Sequence, residues 1–314
     1  GSITVPVTDR IELSGELRYT YEIEEFRGGF ISEPGASPVA LNDQDRSESF
    51  DFLTGRLSAS VQINKDIKSY VTVARGAKAG GFSFLDTDLA LIPGLSVDEL
   101  ETAETTTYEV GLRGSLLSDR LRFGAAAFFN DTSDEQLAAF DFATFTAGIE
   151  NADTETYGVE VDLTTEPVEG LVLRGALGLL ETEITDAPVE TGAEVGGEVP
   201  NAPEVALSIS ADYTIPLDAP GLSVDLAFGA EYQHVGSQIA DIGNTRSLDS
   251  YDVVNLRLRL IGDDYEVFAF GENVFDETYA TGAFPFGVSP AGEQVSTGGV
   301  GQPRLFGLGV RLTF

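Results

Sequence analysis

The chain contains no cysteine, no methionine and no tryptophan, and one histidine among its 314 residues. Without cysteine there are no disulfides and no thiolate metal sites, and a lone histidine does not build a zinc centre. Long hydrophobic runs are missing too. No stretch approaches 18 consecutive apolar residues, which excludes a helical membrane span. It does not exclude a β-barrel, whose strands need only alternating segments of about ten residues. Basic residues are scarce: 18 Lys and Arg against 52 Asp and Glu leave a formal net charge of −34. Such a field repels nucleic acid, and no basic stripe overrides it. The acidic residues are dispersed rather than blocked, which argues against a disordered acidic tail. No charged n-region or apolar h-region follows Gly1-Ser2, so no signal peptide is visible, as in a processed or truncated chain.

What is present is period-two alternation from end to end. Ile11, Leu13, Leu17, Tyr19, Tyr21 and Ile23 share one face of a strand, and Glu12, Ser14, Glu16, Arg18, Thr20 and Glu22 share the other. Similar patterns recur at 205–215, 222–232 and 256–260. About thirteen strands are expected, many of roughly 11–15 residues against about 5–6 in soluble sheets. Short turns are expected near Thr8-Asp9, Asn64-Lys65-Asp66, Ser118-Asp119, Pro167–Gly170, Leu217–Pro220 and Gly262–Asp264. They alternate with long loops near 25–47, 81–103, 132–152, 184–200, 235–247 and 277–301. Tight turns at one end and long loops at the other describe an all-β, antiparallel transmembrane barrel. Tyr21, Phe129, Tyr157, Tyr213 and Tyr232 near strand ends suit an interfacial girdle, and Arg18, Arg56, Arg113, Arg122, Arg257 and Arg259 are expected to face the lumen and pair with carboxylates. In the last strand Phe306, Leu308, Val310, Leu312 and the terminal Phe314 alternate with Gly307, Gly309, Arg311 and Thr313. This pattern resembles the C-terminal signal read by the barrel-assembly machinery.

Several segments, in order, resemble the C-terminal β-barrel portion of TonB-dependent outer-membrane receptors. Arg75-Gly76-Ala77-Lys78-Ala79-Gly80-Gly81-Phe82 resembles R-G-F-K-x-G-G-F, with Ala77 in place of the usual aromatic. Thr107–Arg113 followed by Asp119-Arg120-Leu121 resembles the Y-E-x-G-L-K…R-L hairpin, and Ala125–Asp131 continues it. Asn151-Ala152 with Tyr157-Gly158-Val159-Glu160, Asn201-Ala202-Pro203, Asn273–Tyr279 and Pro303-Arg304 complete the series. Each motif is weak alone; together they cover roughly residues 5–314, read as one barrel domain spanning 1–314.

The resemblance implies a Gram-negative outer-membrane location and contact with outer-membrane lipid and lipopolysaccharide. It also implies energised uptake of a scarce ligand such as a ferric siderophore, a cobalamin or an oligosaccharide. Family barrels have 22 strands and a plugged lumen, whereas no plug domain or TonB box is visible here. Contact with the TonB complex is therefore expected only through a missing plug-bearing region. Thirteen strands are consistent with part of a 22-stranded barrel completed by a missing N-terminal half or a second chain. A small closed barrel of 12–14 strands, acting as a plugless cation-favouring pore, is the alternative, and a structural barrel component paired with another chain is a third.

Catalysis has little support, and no cofactor is expected. His234 has no G-x-S-x-G elbow to accompany it, and it reads as a rim residue entering a long loop. It joins Tyr279, Phe284 and Phe286 as candidate ligand contacts at the extracellular mouth. Asn42-Asp43-Gln44-Asp45 has alternating oxygen ligands, but lacks the Gly and bidentate Glu of an EF-hand loop. Asp43 and Asp45 are thus only a weak calcium candidate.

Overall fold

The computed structural model describes residues 1–28, 44–83, 98–141, 146–219, 222–288 and 294–313. In chain order the strands are β1 (Ser2–Pro6), β2 (Ile11–Gly28), β3 (Gln44–Gln62), β4 (Ile67–Lys78), β5 (Gly81–Ser83), β6 (Asp98–Leu100) and β7 (Ala103–Leu116). They continue with β8 (Leu121–Asp141), β9 (Thr146–Val168), β10 (Leu171–Asp186), β11 (Val205–Ala219), β12 (Leu222–Val235), β13 (Gln238–Ile239) and β14 (Ser247–Leu248). The last five are β15 (Tyr251–Ile261), β16 (Tyr265–Glu272), β17 (Ala280–Val288), β18 (Gln294–Val300) and β19 (Leu305–Leu312). Thirteen of them form one antiparallel sheet in the order β1-β2-β3-β4-β7-β8-β9-β10-β11-β12-β15-β16-β19. The pairs β5–β6, β13–β14 and β17–β18 are separate two-stranded ribbons in the long connections. Among the described residues β1 and β19 each have a sheet partner on one side only. The sheet is an open wall, and the small closed ring is not formed.

Register explains the two faces. Leu17 lies opposite Gly55, Tyr19 opposite Leu53 and Gly15 opposite Leu57. On the same face Val73 meets Tyr108 and Val71 meets Val110. This face is apolar yet uncovered: Leu57 is 70% exposed, Val71 53% and Leu308 86%. In water such a surface would be untenable for a monomer; against lipid it is the surface that the hydrophobic effect favours. The row Tyr108–Phe129–Tyr157 crosses three adjacent strands, and the Tyr108 and Phe129 rings stack with centroids 6.4 Å apart. Directly beyond that row the same face turns polar, with Arg75 paired to Glu104 and Asp131 opposite Glu155. The aromatics therefore mark the upper edge of the apolar band, as interfacial girdles do. Tyr213 lies near the other end, opposite Leu171.

The short turns have local chemical causes. Asn64 Oδ1 accepts from the amides of Asp66 and Ile67, at 2.8 and 3.0 Å, an Asx turn. Thr8 Oγ1 does the same for Arg10 and Ile11. Gly170 has φ +80, and a β-carbon there would collide with the Thr214 carbonyl. The last strand alternates with glycine for a different reason. Rings of Phe270 and Phe268 lie over Gly307 and Gly309, covering backbone that a side chain would otherwise shield. Phe306, Leu308, Val310 and Leu312 point to the lipid side; Phe314 lies outside the described residues.

Two of the six long connections are shorter than the sequence suggests. The expected loop 132–152 is largely strand, since β8 runs to Asp141 and β9 begins at Thr146. A bulge at Asp134, with φ 56 and a register shift between Thr132 and Glu135, breaks the alternation there. Above the bilayer both faces can be polar, so a paired ladder there lacks the hydrophobic alternation that marks a strand. Likewise β2 continues to Gly28 and β3 begins at Gln44, ahead of the predicted boundary at 47.

One motif acts as a latch. Asn273 is 3% exposed and sits between β16 and β17 with φ 47. Its Nδ2 donates to the carbonyls of Glu277 and Gln302, at 2.7 and 3.0 Å. Its Oδ1 accepts from the Glu277 amide at 2.8 Å, and its own amide donates to Asn255 Oδ1. Asp276 receives the Arg304 amide and pairs with its guanidinium. The N-V-F-D segment thereby ties the last hairpin to the start of β19.

Two outcomes follow. In lipid vesicles, denaturant unfolding of Val71→Arg is expected to show a loss of about 1–4 kcal/mol, the cost of a cation within the apolar band. Thr72→Arg, on the opposite face, is expected to be nearly silent, and equal costs would refute the assignment of faces. Asn273→Ala orphans buried backbone groups and is expected to cost about 1–3 kcal/mol, with faster hydrogen exchange at the Glu277 amide.

Candidate functional site: the lumen face and extracellular vestibule

Charged residues concentrate on the face opposite the lipid side, where they pair across strands. Glu16 meets Arg56 at 3.3 Å, Glu12 meets Lys68 at 3.4 Å and Asp212 meets Arg174 at 2.7 Å. Glu266 receives both Arg259, at 3.8 Å, and Arg311, at 2.8 Å. Arg113 instead lies over the Tyr70 ring, 5.4 Å from its centroid. These pairs are largely solvated and each contributes little stability; their consequence is a hydrated polar wall. All six arginines expected in the lumen lie on this face by register. Arg56 and Arg259 are paired, whereas Arg18, Arg122 and Arg257 form no ion pair among the described residues.

Above the apolar band the same face gains a small core. Leu137 of β8, Ala152 of β9 and Ile184 of β10 pack with Val199 and Ile242 from two connections. All five are buried, and Ile184 is fully enclosed at 0% exposure. Backbone hydrogen bonds hold the two connections in place. Ile184 donates to the Gly197 carbonyl and accepts from Gly196, each at 2.8 Å. Glu194 donates to Ile242, and Asn201 to Ile239. Asn244 clamps the junction, its Oδ1 accepting from the Glu198 amide and its Nδ2 donating to the Glu198 carbonyl. Residues 187–204 and 236–250 are thus a folded assembly on the lumen side of the wall.

A second polar network stitches the neighbouring rim. Gln136 Nε2 donates to the carbonyls of Ala79 and Glu101, at 3.0 and 3.1 Å. Asn151 donates to the Asp134 carbonyl at 2.6 Å and accepts from the Glu101 amide at 3.0 Å. Gly80 packs so closely that a β-carbon would collide with the Leu100 carbonyl and the Phe50 ring. Gly80 of the G-G pair and the N-A of Asn151-Ala152 are therefore vestibule-building residues.

The sequence-predicted contacts separate in space. Tyr279 is at the mouth, stacked on Tyr251 with centroids 4.0 Å apart, and packed against Gly301. His234 is the penultimate residue of β12, at the entry to a long connection, opposite Leu207 and Asp252 on the lipid-side face. Its Nδ1 is 2.9 Å from Asp252 Oδ1, which also accepts from Tyr232 Oη at 2.6 Å. Phe284 and Phe286 belong to β17, and their side chains lie outside the described residues, as does Asp43. Asp45 opens β3 and pairs with Arg27 at 3.6 Å. The Ile184–Val199–Ile242 cluster escaped the sequence reading because three apolar residues scattered over some sixty positions carry no period.

Comparison with known proteins agrees with this architecture. A family profile described as "TonB dependent receptor-like, beta-barrel" matches residues 1–274. The ferric yersiniabactin uptake receptor FyuA of Yersinia pestis superposes with a TM-score of 0.78 at 21% identity, covering 100% of this chain and 44% of its own. The closed form of the ferric-catecholate import receptor Fiu of E. coli K12 gives 0.70 at 18% identity, with coverages of 99% and 43%. The siderophore receptor PiuA of Acinetobacter baumannii gives 0.67 at 17% identity, with coverages of 98% and 42%. The chain thus spans less than half the length of these relatives. It belongs to the TonB-dependent receptor β-barrel family, proteins of the Gram-negative outer membrane that act as receptors and transporters rather than enzymes.

Proposed function

We propose that this chain forms part of the wall, and the ligand-receiving mouth, of a receptor that takes up a scarce chelate, in the first place a ferric siderophore. The observation that carries this reading is the folded vestibule assembly around Ile184, Val199 and Ile242 on the lumen side. Loops that are already packed lose little conformational freedom on binding, which favours capture of dilute ligands. The likeness to uptake receptors for iron chelates supports the same reading. In this proposal the barrel itself breaks no bonds. A plug outside these 314 residues fills the polar inner face and couples to the TonB complex. Further strands, on the same polypeptide or a second one, join β1 to β19.

The passive-pore reading is less well supported. It needs a closed ring, and the unpaired outer edges of β1 and β19 would leave backbone groups unsatisfied in lipid.

Uptake of radiolabelled iron offered as catecholate, hydroxamate and polycarboxylate chelates tests the proposal in cells carrying the full-length receptor. At least one chelate should accumulate, and accumulation should cease when the proton-motive force is dissipated; uptake that persists without it would establish a pore. Ile242→Ala, which costs about 2–5 kcal/mol of packing at a buried aliphatic site, should weaken chelate binding while the barrel still assembles.

A further inference from the structure

The vestibule assembly contains one charged group that its surroundings leave without acceptors. Arg246 precedes β14, and its carbonyl accepts from the Ala240 amide at 2.8 Å. Its guanidinium nitrogens Nε and Nη2 are buried and have no hydrogen-bond partner among the described residues. Buried polar atoms are nearly always paired, and an unserved charged donor is more costly than a neutral one. The identity of the two atoms matters. Nε–H and the adjacent Nη2–H form the lateral fork of the guanidinium, the edge that receives both oxygens of one carboxylate or phosphate.

Shortage of carboxylates does not explain the empty fork in a chain with 52 acidic residues. The acid in the hairpin's own turn, Asp241, is committed elsewhere. Its Oδ1 accepts from the amides of Thr245, at 3.1 Å, and Arg246, at 2.7 Å. Its Oδ2 accepts from the Thr245 amide at 3.2 Å and from the Thr245 hydroxyl at 2.8 Å. Asp241 closes the turn and leaves the side chain of Arg246 unmatched. The hairpin itself is held on two sides. Asn201 and Glu194 bond to Ile239 and Ile242, while β14 lies against β17. The hairpin is thus fixed in place while the fork itself is covered, so an anion reaches it by displacing the protein atoms over that edge.

We propose that Arg246 anchors a pair of anionic oxygens, a carboxylate or a group of like geometry, on the ligand that the vestibule receives. This inference rests on the uptake reading and deepens it by naming the chemistry of the ligand. Citrate serves as a bare carboxylate probe, titrated by calorimetry into the purified full-length receptor. The wild-type protein should bind it, and Arg246→Gln should weaken binding by about 30-fold or more, the effect of truncating one partner of a buried charge pair. Arg246→Lys should recover only part of the affinity, because an ammonium is a point charge without the fork. Without citrate, Arg246→Gln should unfold at the same temperature as the wild type or higher, since it removes an unserved buried cation. Absence of citrate binding in the wild type, equal binding by Arg246→Gln, or a clearly lowered unfolding temperature would each overturn the proposal. Arg246-dependent citrate binding in a receptor that imports no iron chelate would sink the uptake reading and leave the anion site standing.

Discussion

Inside a bilayer no water is available to the backbone, so every amide and carbonyl must be served by protein. The rest of this structure depends on that constraint. It explains why thirteen strands pair in unbroken sequence neighbours, and why the ladder runs with few irregularities through the apolar band. It also bears on the edges of β1 and β19, since an edge tolerated in a soluble sheet is costly in lipid. The hydrophobic effect works in the reverse of its usual direction. The outer face carries rows of large apolar side chains, and the inner face carries solvated ion pairs that hydrate a lumen, beside rings such as Phe268 and Phe270.

Above the membrane a conventionally packed cluster forms. There, residues 187–204 and 236–250 bury Val199 and Ile242 against Leu137, Ala152 and Ile184, and side-chain amides substitute for regular ladders. Asn151, Asn244 and Asn273 play the same part at three places, each offering a donor and an acceptor to backbone groups that turns leave unpaired. Their recurrence at strand tops explains why the family-like motifs are rich in Asn and Gly but poor in chemistry. The motifs build the mouth, and they do so without identifying what enters it. Ligand choice must then come from side chains that the scaffold presents but does not consume, of which the fork of Arg246 is one.

The wall was legible in the sequence because a strand's side chains alternate strictly, and a bilayer on one side and water on the other imprint that alternation residue by residue. Ile11 through Ile23 and Phe306 through Leu312 carry it plainly, and the Asx turn at Asn64 and the Gly170 turn are local devices needing only a few consecutive residues. Boundaries above the membrane were not legible. Between 132 and 152 the strands run above the membrane, where Leu137 and Ala152 face a local core and lipid no longer imprints the alternation, and the bulge at Asp134 shifts the phase. The site was legible only in part. Tyr279 does stand at the mouth, but His234 was placed there by its closeness to a predicted loop, whereas its parity with Tyr232 puts it on the lipid-side face.

By itself, then, the sequence determined the class of the protein, the number of strands in the wall, the placement of most short turns and the two faces of the wall. These are properties of periodicity and of nearest neighbours along the chain. Only the tertiary structure decided that the sheet stays open at β1 and β19. It alone decided that two distant connections fold together over the lumen, and that Asp241 spends its oxygens on a turn while the fork of Arg246 stays unfilled. Each of those depends on contacts between residues far apart in the chain, where no local pattern constrains which groups meet and which are left without a partner.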